Sequence, residues 1–293
     1  MHTKVVVITG ATSGIGQAAA ESLARAGARI VQIARDRERG EAAMKRLAEI
    51  APGASHPIHY ADLSRISDTQ RVAREIRNAE PRIDVLINNA GAIFGKFEAT
   101  EDGLERTFAL NHMAYFVMTM ELLPRLMESA PARVVSTSSD AHQMAKFDLD
   151  DLQSRKVYAS GGFGEWLRYG GPAFQVYARS KLCNIWFTRE LARRVNPNQV
   201  TANCLHPGFV ATRFADQAGG LVAFGTKIAK RWARTIDKGA ETIIYLASSP
   251  EVSGVTGQYF VDCRVAQPSA AAQDDAAAQR LWIESEKLAG VMA

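Results

Sequence analysis

The sequence predicts an α/β protein: one doubly wound parallel sheet of about seven strands with helices on both faces. Three observations predict it. Short β-branched runs alternate with stretches of helical periodicity along the chain. The first such run ends in a glycine-rich turn that opens a helix. No internal repeat and no Pro/Ser linker interrupts the 293 residues, so 1–293 is expected to fold as a single domain.

Lys4 to Thr9 (KVVVIT) reads as a buried parallel strand. Gly10-Ala11-Thr12-Ser13-Gly14-Ile15-Gly16 follows, and Gln17 to Ala26 continue as helix. Strand, glycine turn and helix make an anion site, because free N–H groups and the dipole at a helix start attract a pyrophosphate. The spacing is G-x-x-x-G-x-G, a loose fit to the generic dinucleotide pattern. Ala28 to Ala34 is the second strand, and its end selects the cofactor. An acid there would bond the ribose of NAD, whereas arginine would pair with the 2′-phosphate of NADP. Arg35 follows the strand, with Arg37 and Arg39 close by, so NADP(H) is favoured over NAD(H). Asp36 is expected to cap the helix 37–50.

His56 to Tyr60 is a third strand, and Asp62-Leu63 lie where its end would meet an adenine. Asp62 could equally cap a helix running through Ile76. Ile83 to Ile87 is the fourth strand and leads into Asn88-Asn89-Ala90-Gly91, small and amide residues suited to packing against a cofactor. A long helix, near 102–128, carries Asn111, a poor helix-interior residue expected to bend it. Arg133 to Ser138 is the fifth strand, which delivers Ser138-Ser139 to the ligand crevice. Gln175 to Arg194 reads as a helix on Val176, Leu182, Ile185, Trp186 and Leu191. Tyr177 and Lys181 therefore share one face of it. A phenol titrates near ~10, and an ammonium one turn away is expected to lower that toward a working range. Val200 to Leu205, closed by His206-Pro207-Gly208, and Gly257 to Val261 complete the sheet, and 270–288 is a terminal helix. Two segments fall outside it: a long insertion near 140–172, and an aromatic, basic, amphipathic stretch near 209–237. The second reads as a substrate lid or a membrane-touching surface.

Composition excludes several classes. With 47% hydrophobic and 23% charged residues the chain is an ordinary globular one. A net charge of +4 is too weak to argue for nucleic acid. Cys183, Cys204 and Cys263 show neither disulfide nor metal-site spacing, so no metal is expected and a reducing cytoplasm suits them. The N-terminus runs straight into a strand, which leaves no room for a signal peptide. No apolar run is long enough for stable membrane insertion.

Thr9-Gly10-x-x-x-Gly14-Ile15-Gly16, Asn88-Asn89-Ala90-Gly91, Ser139, Tyr177-x-x-x-Lys181 and Pro207-Gly208 occur together in the order of the short-chain dehydrogenase/reductase family, which the chain resembles over nearly its whole length. YARSKLCNIWFTRELARR, LHPGFVATRF, GQYFVDC and RLWIESEKL look like its retinol dehydrogenase and WW-domain oxidoreductase branch. The resemblance implies a Rossmann-like sheet and hydride transfer between nicotinamide and a carbonyl or alcohol. Tyr177 would be the general acid/base, Lys181 its modulator and ribose ligand, and Ser139 would hold the substrate oxygen. Asn111 would hold a water leading to Lys181. Gly10, Thr12, Ser13, Gly14, Ile15, Gly16, Arg35, Asp62, Leu63, Asn89, Ala90, Gly91, Pro207, Gly208, Val210 and Thr212 would line the cofactor cleft with Tyr177 and Lys181. It also implies a homodimer or homotetramer through the long helices carrying Asn111 and Tyr177. An apolar retinoid-, steroid- or long-aldehyde-like substrate is expected from the aromatic lid. The alternatives are an NADP(H)-sensing binding protein without chemistry, or a light-dependent protochlorophyllide reductase-like enzyme suggested by Cys183.

Overall fold

A computed structural model describes residues 1–160, 171–210 and 234–290. The strands are β1 (Val5–Thr9), β2 (Arg29–Ala34), β3 (Ile58–Tyr60), β4 (Val85–Asn88), β5 (Ala132–Thr137), β6 (Val200–His206), β7 (Tyr259–Val261) and β8 (Arg264–Val265). They form one sheet in the order β3-β2-β1-β4-β5-β6-β7-β8. Every pairing is parallel except the last, β7 with β8. β8 is a strand beyond the seven expected. The chain winds outward in one direction from β1 and in the other from β4, so a crevice opens between the carboxyl ends of these two strands.

The longer helices are α1 (Gly14–Arg25), α2 (Arg37–Ile50), α3 (Ile66–Ala79), α4 (Ala114–Glu128), α5 (Gly171–Arg194), α6 (Ile236–Ser248) and α7 (Asp275–Ala289). α1, α2 and α6 cover one face of the sheet through Leu23, Leu47 and Ile243. α3, α4 and α5 cover the other through Ile76, Phe116 and Leu182, with Trp282 of α7 added outside. β1 is buried along its whole length, as the central strand of a two-faced sheet must be.

The helix before β5 does not begin at Asp102. Asp102 instead accepts the Ile66 amide at 2.9 Å and so holds the start of α3. Glu105, fully buried, accepts the amides of Thr107 and Phe108 at 3.0 and 2.7 Å and starts the helix there. The helical path then widens into one π turn, Ala109–Met113, before continuing as α4. Asp62 caps no helix: its Oδ1 accepts the amide and the hydroxyl of Ser64, at 3.0 and 2.7 Å. α7 packs along the outer face of α5, where Trp282 stacks on Phe187 and meets Phe116 edge-on. The α5 face expected to pair two subunits is thus covered from within the chain. No helix among the described residues is long and apolar enough to cross a membrane.

Candidate active site

The strand ends at the crevice are tied together by side chains. Thr9 Oγ1 accepts the amides of Asn89 and Ala90, both at 2.9 Å. Asn89 Nδ2 donates back to the carbonyls of Thr9 (3.2 Å) and Gly10 (3.4 Å), and Asn89 Oδ1 accepts from Thr137 Oγ1 at 3.4 Å. β1, β4 and β5 therefore end in one rigid rim. Gly10 turns on it with φ +71°, and a Cβ there would press on the Ala90 backbone at 2.9 Å. A Cβ on Gly16 would collide with Asn89 Nδ2 and the Gly10 carbonyl. The glycines thus let the first turn of α1 lie against the rim. That turn carries no acidic residue, and Ser13 makes no side-chain capping bond, so its amides face an anion unopposed. This cradle fits the pyrophosphate of a dinucleotide.

At the end of β2, Arg35 is exposed, and its charge helps hold the Asp62 carboxyl below the usual carboxylate range; burial pushes that carboxyl up, and the Ser64 bonds and Arg35 overcome it. Asp36 is the N-cap of α2, accepting the Arg39 amide at 2.9 Å, so one of its carboxylate oxygens is engaged by the helix. Leu63 is buried beside Asp62. On the far rim Gly208 has φ +83° with the Arg234 side chain against it, and Val210 packs with Ile15 against Gly239. Thr12 and Ser13 lie in the turn before α1. Thr212, most of the expected lid and 161–170 of the insertion lie outside the described residues.

The chemistry-bearing residues converge beside this cradle. Tyr177 and Lys181 are one turn apart on α5 and both buried, at 8% and 2% exposed. Lys181 Nζ donates to the Thr137 carbonyl at 2.9 Å and lies 5.7 Å from the centroid of the Tyr177 ring. The Ser139 side chain lies beside the Tyr177 phenol. Ser138, the alternative serine, is turned inward, where its hydroxyl donates to the Lys181 carbonyl at 2.8 Å. Asn111 sits in the middle of the π turn and is wholly buried. Its Oδ1 accepts the Ala92 amide at 2.9 Å, and its Nδ2 donates to the Ala92 carbonyl and Ser180 Oγ, both at 3.0 Å. The Asn111 side chain therefore fixes the turn to the Gly91 segment and to α5. Gly91 leaves the gap where Asn111 and Lys181 approach, since a Cβ there would lie 3.0 Å from Asn111 Oδ1 and 3.5 Å from Lys181 Nζ.

Burial sets the ionisation of the pair. It pushes the Tyr177 phenol up to about 12, against a lowering by the Ser139 hydroxyl, and it pushes the Lys181 ammonium down to about 7. Burial therefore leaves Tyr177 above its ordinary value in the protein alone, where the spacing with Lys181 suggests a lowering. A neutral phenol beside a readily neutralised amine results, which suits a proton donor. Ile93, Ala173 and Phe174, with Ala141, pack around Tyr177 as an apolar wall.

Sequence reasoning gave no role of their own to Thr9, Thr137 or the histidines. The threonines end strands at the crevice, a placement that the strand assignments could have flagged. His206 Nδ1 accepts the Asp140 amide at 3.1 Å and His142 bonds the Ser139 carbonyl, which only the folded chain reveals. Cys183, by contrast, is a fully buried core residue whose thiol is pushed up by its burial, and it lends no support to a light-driven tetrapyrrole reaction.

A glycine cradle at a topological switch point beside a Ser–Tyr–Lys cluster defines a nucleotide-dependent oxidoreductase of the doubly wound α/β class. Comparison with known proteins agrees. Residues 4–150 match the short chain dehydrogenase family model, and 167–263 match that of enoyl-(acyl carrier protein) reductase. The chain is 39% identical to retinol dehydrogenase 14 of Mus musculus over 100% of its length and 87% of the relative's. It is 36% identical to retinol dehydrogenase 13 of Homo sapiens over 99% and 86% of the two chains. Among solved structures, an uncharacterized protein of Mycobacterium paratuberculosis superposes with a TM-score of 0.74 at 30% identity, covering 99% of this chain and 94% of that one. The RhlG/NADP complex of Pseudomonas aeruginosa gives 0.68 at 26% identity, covering 89% and 94%. The chain belongs to the short-chain dehydrogenase/reductase family, on its retinol dehydrogenase-like branch.

Proposed function

We propose that this protein is an NADP(H)-dependent oxidoreductase that interconverts a carbonyl and an alcohol on an apolar substrate, of the retinoid, steroid or long-aldehyde kind. The observation that carries the proposal is the buried Tyr177–Lys181 pair, one turn apart on α5 with Ser139 beside it, set against the apolar wall of Ile93, Ala173 and Phe174. In the reductive direction Tyr177 gives its phenolic proton to the developing alkoxide, and in the oxidative direction it takes one back. Ser139 Oγ accepts the Ala141 amide at 3.2 Å, which leaves its proton for the same oxygen. Lys181 would hold the ribose of the bound nucleotide, and in its protonated form it favours the phenolate. Asn111 keeps the π turn in place behind them. Bound NADP(H) would supply or accept the hydride, held by the Gly10–Gly16 cradle, Asn89, Ala90 and Gly91. Arg35 would face the 2′-phosphate.

The preference for NADP(H) is supported by Arg35 at the β2 end, by the engagement of Asp36 as a cap, and by relatives solved with NADP or NADPH. The apolar substrate is supported by the wall around Tyr177 and by the names of the retinol dehydrogenase relatives. A cytoplasmic setting is proposed on its three free cysteines. The test is the loss of NADPH and NADH absorbance, in the dark, against retinal, long aldehydes and ketosteroids. Tyr177→Phe should lower kcat by roughly 10²–10⁴-fold. A variant that turns over like the parent would overturn the role of Tyr177.

A further inference from the structure

The three elements that carry the catalytic groups each make at least one hydrogen bond into the same C-terminal stretch, Pro268–Ala289. His142, three residues after Ser139, is buried between them: its Nδ1 lies 2.7 Å from the Ser139 carbonyl, and its Nε2 lies 3.0 Å from the Ser269 amide. An amide can only donate and a carbonyl can only accept. The ring is therefore a neutral Nδ1–H tautomer with both nitrogens committed, Nδ1 to the Ser139 loop and Nε2 to the tail. His112, the neighbour of Asn111 in the π turn, meets Ser285 Oγ at 2.9 Å, and that hydroxyl donates to the Leu281 carbonyl at 2.8 Å. His112 Nε2 is thus the donor. Trp186, on the helix of Tyr177 and Lys181, donates its indole N–H to the Ala271 carbonyl at 2.9 Å. Trp282 then wedges between Phe116 and Phe187, locking α7 against α4 and α5.

We propose that this C-terminal stretch is a brace for the active site, and that His142 is the positioning residue through which it reaches Ser139. The catalytic groups come from three distant parts of the sequence, and their mutual placement must hold within a fraction of an ångström for proton and hydride to move together. A single segment bonded to all three sets that placement. The proposal rests on the catalytic roles given above to Ser139, Tyr177 and Lys181. It adds that His142, His112 and Trp186 act at a distance, through the tail.

Replacement of His142 discriminates the brace from mere local support. His142→Asn keeps a donor near the position of Nδ1 but cannot reach Ser269, whereas His142→Ala loses both bonds. If the brace acts, both variants lose roughly tenfold to a hundredfold in kcat, with the KM for carbonyl and the Kd for NADPH unchanged. If His142→Asn restores kcat while His142→Ala does not, Ser139 needs only the local donor and the brace is refuted. Amide hydrogen exchange gives a readout independent of turnover. Trp186→Phe, which removes only the bond to Ala271, should speed exchange roughly tenfold in 139–145 and 110–113 as well as in the tail. Faster exchange confined to the tail would overturn the proposal. A parent protein inert toward every carbonyl would count against the proposed reaction alone, since the exchange result decides the brace by itself.

Discussion

Tyr177 and Lys181 show how far a spacing carries. Their separation of four residues on a helix puts them on one face, and there they are. Their ionisation depends on what surrounds that face, and burial moves both toward their neutral forms. A stability effect follows for Lys181, whose amine falls from 10.5 in the unfolded chain to about 7 in the folded one. Below about 7 both states hold the proton and the cost of burying the charge is constant. Between about 7 and 10.5 the unfolded chain binds a proton that the folded chain has shed, so on this group's account stability rises with pH. Lys181→Met removes that slope. Urea midpoints at pH 7 and 8.5 should rise more steeply for the parent than for Lys181→Met, and equal slopes would show that Lys181 stays charged in the fold.

At the scale of elements, the first turn of α1 lies so close to the β4 end that only glycine fits at position 16. Gly16→Ala should cost about 1–3 kcal/mol and weaken NADPH binding, because either Asn89 or the Gly10 turn must move. A variant with unchanged denaturation midpoint and nucleotide affinity would show that the rim yields. The glycine motif, the N-cap at Asp36 and the presence of β1 to β7 were legible because local chemistry sets them. β8 was not. It is two residues long, and its hairpin turn puts Asp262 and Cys263 at φ +49° and +61°, where glycine or asparagine is the usual signal. Long-range partners hold that turn instead: Arg234 pairs with Asp262, and Thr242 Oγ1 accepts the Cys263 amide at 3.2 Å. The start of the helix at Glu105 was hidden for a similar reason, since Asp102 serves α3 from 36 residues away.

Across the whole molecule, α7 changes what the helical face can do. With Leu281 and Trp282 at 1% and 3% exposed against α5, a second chain cannot use that face unless α7 leaves it. If the long helices pair two chains, their contact lies outside the face that α7 covers, and light scattering, against 31.9 kDa for one chain, gives the number of chains. Trp282→Ala, which empties the wedge between Phe116 and Phe187, should cost about 3–5 kcal/mol. A dimer that survives with α7 docked would show that another surface pairs the subunits, and an unchanged melting midpoint in Trp282→Ala would show that the wedge adds little.

The sequence by itself determined the doubly wound sheet, the glycine cradle, the basic end of β2 and the pairing of Tyr177 with Lys181. Each of these rests on residues within a turn or two of one another, where propensity, capping and periodicity act. Tertiary structure decided which of two adjacent serines faces Tyr177, because Ser138 and Ser139 differ only in which side of the strand end they occupy. It also decided that Cys183 is core, that Asn111 anchors a π turn, and that the tail ties the catalytic elements together. Those outcomes depend on contacts that reach 43 to 173 residues along the chain, and burial among such segments is also what set the proton affinities of the site.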